Sequence, residues 1–259
     1  MKKNPILYAL LLLIIWATIT VYGSVFLAGG KDVKLDEMIS SRPSYSIFLA
    51  CIILLIYTFM RNIKTDVGFN SNLNMKHWIY IYPIIVITIL LALVLIKGDI
   101  NQNELLFVLG NTFVVGISEE LMFRGILLNS FIQKYSYLKS IIIVSLLFGT
   151  VHIANGFVTG DFFAASKQAF IATFSGILFI AMRIKSINII PAIIIHWLWD
   201  FVVFTYITFI PKEAKAELVV LIISMLFIAS PFIFGILGII QCAKKDAKEA
   251  FVAQQHQVQ

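Results

Sequence analysis

Charge is what this chain most lacks. Asp, Glu, Lys and Arg make up 13% of its 259 residues, against about a quarter in a soluble domain. With 60% hydrophobic residues and a mean hydropathy of +0.93, membrane is the class that fits. Cysteine is nearly absent. Cys51 and Cys242 both lie in apolar runs, which excludes a disulfide framework and a thiolate metal site and leaves them as inert packing residues. Proline is sparse and sits where a missing N–H is cheap: Pro43, Pro83, Pro191 and Pro211 fall near helix ends, and only Pro231 lies deep in an apolar run, where it favours a kink. Internal repeats, low-complexity tracts and any soluble domain are missing as well. A net charge of +6 would suggest nucleic acid in a soluble protein. Here the basic residues sit at the ends of apolar runs and orient the chain, so no nucleic-acid partner is expected.

What is present is a series of apolar runs, each about 18 residues or longer. They predict an all-α polytopic membrane protein with eight spanning helices near 5–28, 44–60, 77–97, 104–133, 139–157, 166–183, 187–210 and 216–242. The first run follows two lysines but exceeds the roughly 7–15 apolar residues of a signal peptide, so it reads as a retained span. The fourth is too long to cross perpendicularly and should tilt or protrude. Residues 31–42 read as a loop or interfacial helix, and the polar tail after Cys242 as frayed. With the N-terminus in the cytoplasm, twelve Lys and Arg fall on that side against seven outside, with Arg124 set apart within the membrane. That bias predicts both termini inside.

Three polar constellations interrupt the apolar pattern. Glu119, Glu120 and Arg124 lie in the fourth run, where each ionised group costs about 2.5–3.5 kcal/mol at a helix centre. Glu120 and Arg124 are spaced i,i+4 and share a face, whereas Glu119 is turned about 100° away. One carboxylate can therefore be neutralised by the arginine while its neighbour stays free to accept a proton. His152 lies in the fifth run, four residues after Phe148. His196 and Asp200, again i,i+4, lie in the seventh. At about 1.5 Å per residue, His152 and Glu119 stand roughly 20 Å from one end of their helices, and His196 roughly 15 Å from the same side. All three clusters thus share a level in a core about 30 Å thick and are expected to meet in one cavity.

Such a cavity suits the activation of water. A buried Glu beside imidazoles can serve as general base, and His196 with Asp200 can stabilise the oxyanion formed when water adds to a carbonyl. A zinc site built from Glu119, His152 and His196 is the other arrangement these residues allow, although no HExxH is present. His77 beside Trp78 reads as interfacial, and His256 lies in the tail. Asn155 either lines the cavity or ends its helix; Asn111 and Ser118 are candidates for hydrogen bonds between helices; Trp197 and Trp199 read mainly as packing.

The motifs Glu119-Glu120-Leu121-Met122-Phe123-Arg124, Phe148-Gly149-Thr150-Val151-His152 and His196-Trp197-Leu198-Trp199-Asp200, in this order, resemble those of the CPBP (Abi) family of intramembrane proteases. That family includes the type II CAAX prenyl proteases and proteins tied to bacteriocin processing and self-immunity. The resemblance spans roughly residues 104–205. It divides one membrane domain into N-terminal helices (1–103), a catalytic core (104–210) and a last helix with a polar tail (211–259). It implies that Glu119 activates water with help from His152, that His196 and Asp200 bind or polarise the scissile carbonyl, and that Glu120 and Arg124 support them. It implies either a glutamate mechanism without metal or a metalloprotease. In the prenyl-protease branch an Asn stands where this chain has Asp200, and an ionised Asp would repel an oxyanion. The expected function is an intramembrane endopeptidase acting on a membrane-bound protein or peptide precursor. A non-proteolytic immunity or partner-binding protein on the same scaffold is the alternative, and a proton-coupled transporter ranks last because no inverted repeat is visible.

Overall fold

The computed structural model describes residues 4–64, 66–69 and 77–257, and among these it is helical without a strand. Seven helices are long and apolar enough to span a membrane. They are α1 (Pro5–Leu27), α4 (Trp78–Lys97), α5 (Gln102–Ile132), α6 (Tyr137–Thr159), α7 (Phe162–Ser186), α8 (Ile190–Phe209) and α9 (Leu218–Cys242). The expected second span, 44–60, is helix α3 (Tyr45–Met60); it meets the short α2 (Leu35–Ser41) at 80°, and the pair together counts as a possible eighth span. Sixteen residues of α3 rise only about 24 Å, short of a full hydrocarbon core.

The bend has a local cause. Arg42 precedes Pro43, whose ring disfavours the helical region for the residue before it, and Arg42 is extended at φ −165° and ψ 167°. The broken backbone is repaired from another helix. Asn111 of α5, 2% exposed, donates through Nδ2 to the carbonyls of Ile39 (2.7 Å) and Arg42 (2.8 Å). Its Oδ1 accepts the Ser44 N–H at 2.9 Å. Within residues 31–42 the helical part is thus Leu35–Ser41, packed on the bundle through α5.

Other ends are set by ordinary rules. Pro5 and Pro191 stand in the first turns of α1 and α8. Asn101 caps α5 by accepting from the N–H groups of Asn103 and Glu104, and Asp161 caps α7 by accepting from Ala164. Helix α9 runs unbroken through Pro231. The tail departs from expectation: residues Lys245–Gln257 form a further helix, α10, instead of fraying. Burial explains it, because Phe251 is fully enclosed and lies 5.0 Å beneath the Arg183 guanidinium.

Loops sort onto two faces. On the first, the Val33 N–H donates to Val158 O, the Asp99 N–H to Phe209 O, and Lys97 pairs with Glu217 at 2.6 Å. On the second, the Ile189 N–H donates to Gly68 O and Lys185 pairs with Asp246 at 3.5 Å. A main hydrophobic core runs from Ile6 on α1 to Phe251 on α10, and a smaller cluster of Ile39, Ile47 and Val108 joins α2 and α3 to α5. Cys51 and Cys242 are buried and unpaired in disulfides, in keeping with packing roles.

Removing the Asn111 side chain should loosen the elbow, since each buried backbone group left without a partner costs about 1–3 kcal/mol. Asn111→Ala is expected to lower the melting temperature of the detergent-solubilised protein measurably, and a melt identical to wild type would refute this account of the bend.

Candidate active site

Glu119, His152, His196 and Asp200 line one cavity of about 510 Å³, enclosed by side chains from α1, α2, α3, α5, α6, α7, α8 and α9. Glu120 and Arg124 lie behind its wall, both fully buried.

Helix α5 is not regular here. From Leu121 to Leu127 it widens into a π-helix, and all seven of these residues are buried. Such segments recur at functional sites because they re-aim side chains within a continuous helix. The i,i+4 pair survives: Arg124 Nη1 lies 2.9 Å from Glu120 Oε1. Arg124 Nη2 donates to the Gly176 carbonyl of α7 at 3.2 Å. Its guanidinium lies 4.0 Å from the centroid of the Phe148 ring and 5.2 Å from that of Phe179. The charge is thus held by one carboxylate, one carbonyl and two aromatic faces.

Glu120 has a second partner. His196 Nδ1 lies 2.7 Å from the same Oε1, so α5 and α8 are joined through one carboxylate oxygen. Close approach of the two backbones makes this reach feasible. Gly116 faces Trp197, the residue after His196, and a Cβ there would come within 3.1 Å of the Trp197 nitrogen. The His196 ring stacks on Phe179 at 4.6 Å and 13°. Its Nε2 points to the cavity side, 3.4 Å from Asp200 Oδ2 and 3.7 Å from Glu119 Oε2. With carboxylates at both nitrogens, the geometry suits an imidazolium whose two N–H groups both donate.

Glu119 differs from its neighbour. Its side chain is 15% exposed against 0% for Glu120, and it alone of the two lines the cavity. Two basic side chains, Arg124 and His196, thus face three acidic ones, Glu119, Glu120 and Asp200. His152 stands where α6 tightens into a 3-10 turn, His152–Asn155. Its Nδ1 is 2.7 Å from the Phe148 carbonyl, to which it donates, leaving Nε2 as the acceptor nitrogen. Phe148 also meets His152 and His196 edge-on, at 5.0 and 5.9 Å.

Asn155 lines the cavity and donates to Gln168 Oε1 at 2.9 Å. Ser118 accepts from Trp16 Nε1 at 2.7 Å, tying α1 to α5. Trp199 lines the cavity, whereas Trp197 donates to the Leu109 carbonyl at 3.2 Å. His77 rests near Tyr80 at the start of α4, and the side chain of His256 lies outside the described residues. Sequence reading missed Gly176, Phe179, Trp16 and the π-helical turn. None carries a local signal, because each matters only through a partner far along the chain. Phe148 was legible in part, through its i,i+4 spacing to His152.

Among the described residues no group of three or more His, Cys, Asp or Glu is arranged to hold a metal ion. Nδ1 of each histidine is held, by Glu120 and by Phe148 O, which leaves the two Nε2 atoms for the cavity. No step below runs through a metal.

These features define a polytopic membrane protein with a buried carboxylate–histidine centre opening on an internal cavity. Residues 101–202, which run from the cap of α5 into α8, match the family model of Rce1-like type II CAAX prenyl endopeptidases. The matched segment is the one that carries all three sequence motifs, and over it the chain is similar to that family. No significant match was found among curated proteins or among solved structures.

Breaking a buried pair by removing one partner costs about 3–5 kcal/mol, because the other charge is left uncompensated. Arg124→Ala should therefore reduce protein yield and thermal stability as well as any activity. Wild-type accumulation and melting of that variant would show the pair to be dispensable.

Proposed function

We propose that the protein is an intramembrane endopeptidase that hydrolyses a peptide bond of a membrane-associated protein or peptide, with Glu119 as the general base. The observation that carries this reading is the unequal treatment of two adjacent carboxylates. Glu120 is fully buried and held through Oε1 by Arg124 and His196, while the Glu119 side chain is 15% exposed and lines the cavity.

The chemistry follows from the donors and acceptors available. A water between the Glu119 carboxylate and His152 Nε2 gives its proton to Glu119 as its oxygen adds to the carbonyl carbon. The carbonyl oxygen gains the charge and accepts from His196 Nε2–H, whose cation is sustained by Glu120 through Nδ1. Collapse of the tetrahedral species breaks the C–N bond, and the proton on Glu119 passes to the leaving nitrogen. Asp200, 3.4 Å from His196 Nε2, then acts through the imidazolium rather than touching the oxyanion. This role removes the difficulty of an acidic residue at that position. The richly basic face that carries the chain ends supports reading that face as cytoplasmic.

Glu119→Gln keeps size and shape but cannot take a proton. It should lower the hydrolysis rate by about 10²–10⁴ while the variant elutes and melts like wild type. Full activity in a well-folded Glu119→Gln protein would remove Glu119 from the mechanism. Immunity or partner binding that survives the substitution, with no cleavage by wild type, would favour the non-proteolytic alternative.

Chelation tests the metal arrangement. Cleavage is expected to persist after prolonged exposure of the purified protein to a strong zinc chelator. Activity lost on chelation and restored by zinc would make Glu119, His152 and His196 ligands instead.

A further inference from the structure

The cavity lining stops at one level on the helices that carry the catalytic groups. On α5 its last residue is Glu119 and on α7 it is Phe179, whereas on α6 its first residue is Phe148 and on α8 it is His196. Helices α5 and α7 run from the first face to the second, and α6 and α8 run back, so these four limits mark a single floor. From the floor the lining extends toward the first face. There Leu35 and Met38 of α2 and Ala164 and Lys167 of α7 form a rim. Ala164 and Lys167 are exposed, and an ammonium at that position belongs in water or among headgroups, not in hydrocarbon.

Beneath the floor the bundle is closed. Every residue of α7 from Leu178 to Ile184 is at most 1% exposed, residues Leu121 to Leu127 of α5 are all buried, and Ile189 and Ala192 where α8 begins are at 0%. The Arg124–Glu120 pair lies within this plug. Water and a peptide segment therefore reach Glu119 and His196 from the side of the first face. Basic residues tell which side that is. By chain position, twelve Lys and Arg flank the second-face ends of the helices and seven the first-face ends. The connecting segments are short, which is the regime in which Lys and Arg set orientation and the richer side stays in the cytoplasm.

We propose that the active-site cavity opens on the non-cytoplasmic side of the membrane and that its substrate is a peptide segment already carried across. A translocation step must then supply the substrate, and a peptide tail still in the cytoplasm does not reach Glu119. The substrate half of this statement rests on the endopeptidase reading; the direction of the mouth does not.

Cysteine accessibility tests the direction, with the full-length protein in the membrane of a bacterial expression host. Cys51 and Cys242 are buried, so the wild-type chain is the unlabelled control. Lys167→Cys at the rim, Lys212→Cys on the first face and Lys245→Cys on the second all replace exposed side chains. A membrane-impermeant maleimide should label the first two in right-side-out spheroplasts and not in inverted vesicles, with Lys245→Cys showing the reverse. Labelling of Lys167→Cys and Lys212→Cys only in inverted vesicles, equal labelling in both preparations, or labelling of Lys167→Cys in neither overturns the proposal. Cleavage is followed separately, with an impermeant, internally quenched peptide mixture of randomised sequence added to the same preparations. Turnover should occur with spheroplasts, fall by about 10²–10⁴ in Glu119→Gln, and be lost with inverted vesicles. Turnover equal in both preparations, or confined to inverted vesicles, overturns the proposal. Labelling as expected with turnover in neither keeps the outward-facing cavity, while the endopeptidase reading falls and the substrate with it.

Discussion

The chain Arg124–Glu120–His196 is the interaction on which the rest of the centre depends. It places two cations and a carboxylate at essentially zero exposure, a state tolerable only when every charge has an opposite neighbour. Glu120 Oε1 lies between both cations, at 2.9 and 2.7 Å, and so fixes the spacing of α5 and α8. Arg124 draws in α7 through the Gly176 carbonyl and α6 through the Phe148 ring. Four helices thus meet on one fully buried pair. Gly116 lets two of them approach closely enough for the imidazole to reach its carboxylate.

From that constraint comes the division of labour between neighbours in sequence. Glu119 and Glu120 are chemically identical, but a rotation of about 100° sends one into the ionic chain and the other to the cavity. In the proposed mechanism the first job makes the second possible. A carboxylate that must carry a proton cannot also neutralise an arginine, and an imidazole that must meet an oxyanion needs its other nitrogen held. The match of residues 101–202 to Rce1-like CAAX prenyl endopeptidases falls on the segment that carries all of these groups.

Much of this was legible in the linear pattern, for definite reasons. Spanning helices announce themselves by length and apolarity, because lipid leaves no other way to satisfy a backbone. The i,i+4 spacings of Glu120 with Arg124 and of His196 with Asp200 predict shared faces, and the structure holds those pairs at 2.9 and 3.4 Å. The sharp elbow between α2 and α3 and the ordered tail were not legible. One depends on Asn111, far along the chain, satisfying the groups that Pro43 exposes. The other depends on a pocket that encloses Phe251.

Sequence by itself determined that this is an all-α membrane protein, which residues are too polar to face lipid, and that they lie at one depth, since composition and helical rise require nothing else. Tertiary structure decided the partners: that His196 binds Glu120 rather than only Asp200, that Glu119 lines the cavity while Glu120 lies behind it, and that Phe179 and Gly176 complete the shell. Periodicity states which side of a helix a residue occupies. Only packing states what stands opposite it.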